Sequence, residues 1–367
     1  MPVLRSIRSR FAGERPLEGM RVGACLHVTA ETANLVLALR EGGAEVALCA
    51  ANPFTAQADV AEALGDGVHV GDYAAGLQAV AEWEPQLVLD DGAELIAATH
   101  EGLRGATEET RSGLVHVRSL DLRCPVLAVN EAAAERALND RFGTGQSALD
   151  GIVRATHMLL AGQTLVVIGY GWTGRGIALR ARGAGASVIV CEVDPLRALE
   201  ARMEGFEVLP ALAAAERGDV FITVTGSRDV LRAEHFARMK DGAVLANAGH
   251  FDVEIALPDL GEERTEVLPL VGSFAQPDGR RLNLLARGQV VNLAAAQGHP
   301  AGVMDVSFAL QALSVELLAR EELPPGVQAV PATIDAEVAR LKLEALGVEI
   351  DALTPDQEKY LERWRRG

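Results

Sequence analysis

The run TLVVIGYGWTGRG, Thr164 to Gly176, constrains the fold more than any other stretch of the chain. An apolar strand-like segment ends at Gly169, and a helical pattern begins within a few residues, so the turn between them must be tight. Gly169 permits that turn, Gly171 lets backbone approach a pyrophosphate, and Gly174 lets helix and strand pack closely. The helix N-terminus then faces an anion. The following strand, SVIVCEVD, ends at Glu192, where an acid would accept hydrogen bonds from adenosine ribose hydroxyls and repel a 2′-phosphate. The pattern predicts a dinucleotide site and favours NAD over NADP.

Strand and helix patterns alternate on both sides of this motif. MRVGACL and AEVALC read as strands around the helix ETANLVLALREGG, and QLVLDDG and CPVLAVN as later buried strands. Continuous apolar strands interleaved with helices imply a parallel sheet covered on both faces. Ligands of such sheets bind beyond the C-terminal strand ends. The polar residues there, His27 with Thr29, Asp90 with Asp91, and Asn130, suggest one cleft. A second unit begins near Gln146, with TLVVIG, SVIVCEVD, DVFITVTG, AVLANAG and VLPLVG as strands. GVMDVSFALQALSVELLARE then has helical periodicity and would return to the first unit; Pro324-Pro325 punctuates it, and a charged helical tail follows from Thr333.

The expected fold class is therefore α/β, with two Rossmann-like doubly wound parallel-sheet domains and a C-terminal helical tail. Residues 1–145 and 299–335 would form a discontinuous substrate-binding domain, interrupted by a dinucleotide-binding domain at 146–298 and followed by the tail at 336–367. Hinges are expected near Asn130–Gly145 and near Gly298. At 367 residues the chain is long enough for this arrangement.

A formal charge of −17 argues against nucleic acid as the main partner, and the basic runs RSIRSRF and RWRR are too short to reverse that. The N-terminus has no apolar core of signal-peptide length, and no run approaches the roughly eighteen apolar residues of a membrane span. Cys25, Cys49, Cys124 and Cys191 lie far apart and mostly inside strand-like runs, as buried thiols in a reducing, cytoplasmic compartment would. No metal site is expected. Lysine occurs only at positions 240, 342 and 359.

Beyond the glycine turn, CLHVTAET, ANPFTAQADVAEAL, LVLDDGAEL, RGATEETRSG, VNEAAAERALNDRFGTGQSALDGIVRAT, CEVDP, MKDGAVLANAGHFDVEI and VNLAAAQGHPAGVMDVSFALQ follow one another in an order and spacing that resembles the S-adenosylhomocysteine hydrolase family over nearly the whole chain. The resemblance implies a tightly bound NAD that oxidises the 3′-hydroxyl of a nucleoside to a ketone. The 4′-proton then becomes acidic, a base removes it, homocysteine departs by elimination, water adds, and the ketone is reduced again. It also implies a small-molecule nucleoside substrate and a homo-oligomer, a tetramer or a dimer.

By that resemblance His27, Asp91, Glu109 and His250 fall on acid/base or ribose-orienting positions. Thr29, Glu31, Gln57 and His299 fall where the family holds the adenine ring, and Glu31 suits the amino donor of adenine. Asn130 sits at a contact between substrate and nicotinamide, with Asn247 and Asn292 near the nicotinamide. Gly169, Gly171, Trp172, Thr173, Gly174, Glu192 and Thr225 complete the cofactor set. Taken singly, His27 and His299 would more often be ordinary structural residues, and Asp91 beside Asp90 could simply cap a helix.

The chain departs from the family where catalysis is concentrated. A family lysine and the aspartate four residues later are here Glu135 and Asn139, and the asparagine after that aspartate is Asp140. The family's three threonines after the paired glutamates are Thr110, Arg111 and Ser112, and its asparagine after the ribose acid is Arg197. An amide cannot accept a proton near neutral pH, whereas Glu135 or Asp140 could, and arginine stays protonated. Three functions stay open at this level. One is hydrolysis of S-adenosylhomocysteine or a close thioether nucleoside. Another is the same redox logic applied to another nucleoside by a dehydratase, epimerase or lyase. The third is an NAD-binding regulator that senses nucleosides.

Overall fold

The computed structural model describes residues 1–249, 252–261 and 263–365. The short apolar runs become the strands β1 (Arg21–Leu26), β2 (Glu45–Ala50), β3 (Val68–His69), β4 (Leu87–Asp90), β5 (Gly105–Glu108) and β6 (Pro125–Ala128) of one sheet. A second sheet holds β7 (Thr164–Ile168), β8 (Ser187–Cys191), β9 (Glu207–Val208), β10 (Val220–Thr223), β11 (Val244–Asn247), β12 (Glu263–Leu268), β13 (Val271–Ala275) and β14 (Arg281–Leu285). The last strand, β15 (Gly326–Ala329), returns to the first sheet beside β6.

The first sheet has the order β15-β6-β5-β4-β1-β2-β3 and is parallel throughout. Its strand order reverses between β1 and β4, so the crevice where a ligand is expected opens beyond Leu26 and Asp90. In the second sheet, β9-β8-β7-β10-β11-β14 run parallel, and β13 and β12 continue them antiparallel. Its reversal lies between β7 and β10, beside Gly169. The structure thus has the expected α/β class with two doubly wound sheets.

Two expectations need correction, and one stretch that the sequence left without an element acquires one. VLPLVG is not one strand: it crosses the hairpin between β12 and β13, where Pro269 has no N–H for the ladder and Leu270 adopts φ 69°. The basic RSIRSRF stretch belongs to a helix, Pro2–Glu14, that buries Val3, Leu4, Ile7 and Phe11. The helix Ala301–Arg320 is long and apolar enough to cross a membrane, with mean hydropathy 1.4 over its best window. It is instead the core helix of the first unit, packed on β4, β5 and the flanking helices. Asp305, Ser307, Gln311, Ser314 and Glu316, all buried, interrupt its apolar surface.

Two of its connections fix the rest. Asp305 accepts hydrogen bonds from the backbone N–H groups of Val3 (3.2 Å) and Leu4 (3.0 Å), and Lys342 Nζ lies 2.9 Å from the same carboxylate. The N-terminal helix, whose own first residue supplies no side-chain cap, is therefore capped from a distant part of the chain. Asp335 does the same for the segment that becomes Glu135–Thr144, accepting from the N–H groups of Ala133 and Ala134 at 2.9 Å each. Glu135–Thr144 is a π-helix, a form commonly found at functional sites.

The π-helix also meets the helix Trp172–Gly183 that follows the glycine turn. A Cβ on Gly176 would lie 1.8 Å from the Arg141 carbonyl oxygen, and one on Gly145 would lie 2.7 Å from the Gly176 carbonyl carbon. These backbones touch directly at the edge of the cleft.

Gly176→Ala should force the two helices apart. It should cost about 1–3 kcal/mol of stability by overpacking, read as a lower melting temperature, and should weaken dinucleotide binding more than a change elsewhere on that helix. Asp335→Ala should cost about 1 kcal/mol as a lost cap, with a larger loss of activity than of stability, because the residues it orders face the cleft.

Candidate active site

The ends of β1, β4, β5 and β6 and the π-helix enclose a cleft of about 350 Å³. Parallel registry sets its acidic floor: Asp90 stands opposite Glu108 on neighbouring strands, and the chain then turns out of the sheet at Asp91 and Glu109. Asp90 and Glu108 point away from the cleft. Asp90 Oδ2 accepts from the Ile96 N–H (2.8 Å), and Glu108 Oε1 accepts from Thr110 N and Oγ1 (2.7 Å each) and Gly92 N (3.2 Å). Burial pushes the Asp90 carboxyl up to about 7, and burial and Asp90 push Glu108 well above the carboxylate range. These two organise the strand-end turns rather than meet a ligand.

Asp91 and Glu109 line the cleft. His27 does too, with Nδ1 2.7 Å from Thr55 Oγ1 and Nε2 3.5 Å from Asp91 Oδ2. Glu109 accepts one long hydrogen bond, from Gln311 Nε2 on the core helix (3.5 Å). Desolvation, with the Asp91 charge second, raises Glu109 to about 8.

The π-helix brings Glu135, Asn139, Asp140 and Thr144 to the same cleft. Glu135 is 2% exposed, and its Oε2 is buried without a hydrogen-bond partner. Burial, then the Glu109 charge, hold its carboxyl well above the usual range. Asn139 Nδ2 donates to Ser307 Oγ on the core helix (2.6 Å), so this amide is occupied in holding its neighbours. Burial raises Asp140 to about 6, while the nearby Arg136 and Arg111 guanidinium groups pull it down. Arg111 reaches the cleft from the start of the helix Arg111–Val117.

At the outer end, Thr29 caps the helix Ala30–Glu41, and Glu31 in its first turn lines the cleft. His299 stands opposite, its Nε2 3.0 Å from Thr144 Oγ1. Burial and neighbouring His27 lower it to about 4, so it stays neutral. Asn130, Thr110 and Asn292 also line the cleft, and the Asn292 Oδ1 is buried without a partner. Gln57 does not join them: it is exposed at the start of the helix Ala58–Leu64. His250 lies outside the described residues.

The dinucleotide turn adjoins this cleft through Thr173. Gly169 has φ 105°, and a Cβ on Gly174 would lie 2.0 Å from the Gly169 carbonyl oxygen, so both must be glycine. Around Gly171 the space is open; a Cβ there would meet nothing nearer than an Arg197 nitrogen at 3.8 Å. The half-exposed Trp172 opens the helix. Glu192 is fixed at the end of β8 by accepting from Tyr170 N (2.7 Å), Val193 N (2.7 Å) and Asp194 N (3.0 Å). This cradle, with an acid beyond it, fits a dinucleotide with free ribose hydroxyls.

Other residues expected at the cofactor serve its walls. Asn247 is buried, accepting from Gly249 N (2.8 Å) and Thr223 Oγ1 (3.1 Å) and donating to Gly288 O (3.0 Å). Thr225 donates through N and Oγ1 to Glu254 (2.9 and 2.8 Å), and Ser112 Oγ donates to Thr110 (3.3 Å). Sequence reasoning passed over Glu254, Ser307, Gln311 and Asp335. For Ser307 and Gln311 a signal existed, since both are polar residues on the inward side of an apolar helix.

Comparison with known proteins follows this geometry. Residues 140–298 match the family model described as S-adenosyl-L-homocysteine hydrolase, NAD binding domain. The whole chain aligns, at 52% identity and over 93% of the relative, with a protein of Methanopyrus kandleri named S-inosyl-L-homocysteine hydrolase. Adenosylhomocysteinases of Aquifex aeolicus (52%) and Saccharolobus solfataricus (48%) also align with the whole chain, each over 94% of its own length. Among solved structures, the dipicolinate synthase A chain of Bacillus subtilis shares the fold at 13% identity, with a TM-score of 0.53 over 83% of this chain and 99% of that one. With full-length relatives at about half identity, the chain belongs to the S-adenosyl-L-homocysteine hydrolase family.

Proposed function

We propose that this protein uses NAD to hydrolyse S-adenosyl-L-homocysteine, or a close thioether nucleoside, to homocysteine and the nucleoside. The observation that carries this reading is the convergence of His27, Asp91, Glu109 and Glu135 on an enclosed cleft that adjoins a dinucleotide cradle. Bound NAD would supply reversible oxidation of the 3′-hydroxyl. Gly169, Gly171, Gly174 and the helix they open would hold its pyrophosphate, Glu192 its adenosine ribose, and Asn292 its amide end.

The side chains suit the remaining steps. Glu109, once ionised, is the base for the 3′-hydroxyl proton, its desolvation making the carboxylate a stronger acceptor than one in water, and Asp91 beside His27 is the base for the 4′-proton. His27, oriented by Thr55 and adjacent to Asp91, stands where a proton must reach the departing sulfur and leave the entering water. Glu31 accepts from the purine edge, and neutral His299, whose Nε2 is held by Thr144, presents its Nδ1 to the base. Arg111 balances the Asp140 charge at the sugar end.

The purine remains a choice between two, because the relatives at 52% identity carry names that differ in the base. A carboxylate at Glu31 accepts equally from the amino group of adenine and from the N1–H of hypoxanthine. We assign the substrate domain to residues 1–145 with 299–335, the cofactor domain to 146–298 and the tail to 336–367. The pairing of β15 with β6 and the family match over 140–298 support this division. A homo-oligomer, tetrameric or dimeric, in the cytoplasm completes the reading; the four free cysteines suit a reducing compartment.

The test takes the purified protein with its co-purified cofactor and adds S-adenosyl- or S-inosyl-homocysteine, following free thiol and NADH absorbance together. Thiol release with a transient NADH signal is expected. A cofactor that stays oxidised with no thiol from either substrate would overturn the proposal. Turnover should rise with pH through about 8, as Glu109 loses its proton, and Glu109→Gln should lower kcat by roughly 100-fold or more.

A further inference from the structure

Among the acids of this cleft, one has no partner that explains its burial. Glu135 begins the π-helix, is 2% exposed, and leaves Oε2 buried with no hydrogen bond. An ionised carboxylate so enclosed needs cations or several donors. Among the described residues no cation acts on it, and its donors are two uncharged side chains. Ser307 and Asn139 are its polar neighbours from the core helix and its own helix. The charged groups facing it are Glu109 at the end of β5 and Asp140 on its own helix, both acidic. Arg111 and Arg136 act on Asp140 and on Glu131. Only three lysines occur in the chain, and Lys342 is committed to Asp305 at 2.9 Å.

We propose that Glu135 works as a neutral carboxylic acid, and that once Glu109 has ionised the two carboxyl groups hold one proton between them at the reacting sugar oxygen. This rests on the NAD-dependent hydrolase reading above. Asp140, faced by two guanidinium groups, is the member of the segment that carries negative charge, and Asn139 carries none. The segment thus presents a proton donor to the sugar without a positive charge.

The pair has a defined division of labour. When the 3′-hydroxyl is oxidised, its O–H bond breaks and the proton passes to the Glu109 carboxylate. Glu135 keeps its own proton and donates a hydrogen bond to the oxygen, which has become a carbonyl acceptor. On re-reduction the proton returns from Glu109 to that oxygen. Two carboxyl groups whose charges oppose each other in one buried cleft cannot both ionise readily, as like charges in a desolvated site disfavour each other. Burial, the Glu109 charge and the lack of a cation all favour the proton on Glu135.

The experiment reads the proton directly and does not need turnover. Infrared difference spectra of the holoenzyme, wild type minus Glu135→Gln, with isotopically labelled glutamate, should show a protonated-carboxyl band at neutral pH that belongs to Glu135. A wild-type spectrum in which that position contributes only a carboxylate band would overturn the proposal, whether or not the enzyme releases thiol.

Stability supplies a second readout. A carboxyl whose folded pKa lies above its unfolded value binds an extra proton in the native state, so its contribution is present at low pH and lost as pH rises. The melting temperature of wild type should therefore fall between neutral and alkaline pH more steeply than that of Glu135→Gln; equal slopes would count against a neutral Glu135. In activity, Glu135→Gln, which still donates a hydrogen bond, should keep kcat within about tenfold of wild type and shift the alkaline limb of the pH profile, whereas Glu135→Ala should lose about 100-fold or more. Equal losses in both variants, with no change in the pH profile, would reduce Glu135 to a packing residue.

Discussion

The cleft depends on one backbone contact. Gly176, on the helix that opens the dinucleotide cradle, lies against the Arg141 carbonyl of the π-helix, with no space for a single methyl group between them. The helix that would hold the cofactor thereby touches the helix that carries Glu135, Asn139 and Asp140. Neither could be displaced without the other, so the reacting sugar and the cofactor are referred to a common frame. The frame is tied again at its far side, where Asp335 caps the start of the π-helix segment from beyond the core helix. A tighter α-helix in this position would rotate successive side chains by a larger angle. The wider π-turn keeps residues 135, 139, 140 and 144 lining one cleft.

Much of this was legible in the sequence, and what was not has a physical reason. Strands β1, β2, β4, β6, β7, β8, β10 and β11 announce themselves as continuous apolar runs, because a strand buried on both faces has no polar alternation to disguise it. The glycine turn and the strand-end polar residues marked both crevices. By contrast, β15 has no fully buried position, and only the register with β6 makes it a strand. The N-terminal helix was not legible in the sequence, where its core residues Val3, Leu4, Ile7 and Phe11 are interleaved with arginines, one of which, Arg10, pairs with buried Glu316.

At the site, local pattern located the residues but not their duties. Asp90 and Asp91 are consecutive, as are Glu108 and Glu109, and strand alternation sends one of each pair inward and one toward the cleft. Which acid of a pair does chemistry follows from where its strand ends. Asn247 and Thr225 were expected at the cofactor and are found holding Gly249, Gly288 and Glu254. The supporting residues Ser307, Gln311 and Asp335 act across distances of about two hundred residues in sequence, which no local pattern encodes.

The charge of the cleft follows from the same arrangement. With two arginines committed near Asp140 and Glu131 and no lysine within the first 239 residues, the acids gathered at the ends of β4 and β5 have few cations to answer them. Such a group can be tolerated in three ways: by exposure to water, by backbone donors, or by keeping protons. Asp90 and Glu108 use backbone donors in part, and Asp91 has His27 beside it. Glu135 is buried, with two uncharged neighbours, Ser307 and Asn139, and an Oε2 without a partner, and the third way is what its burial leaves. A lysine and a protonated glutamate both offer a proton to a sugar oxygen, but the glutamate does so without adding charge. Placed next to an amide rather than a carboxylate at position 139, it leaves positions 135 and 139 together as neutral as a matched ion pair would, and a carboxyl kept neutral beside Glu109 is ready to donate once Glu109 has ionised.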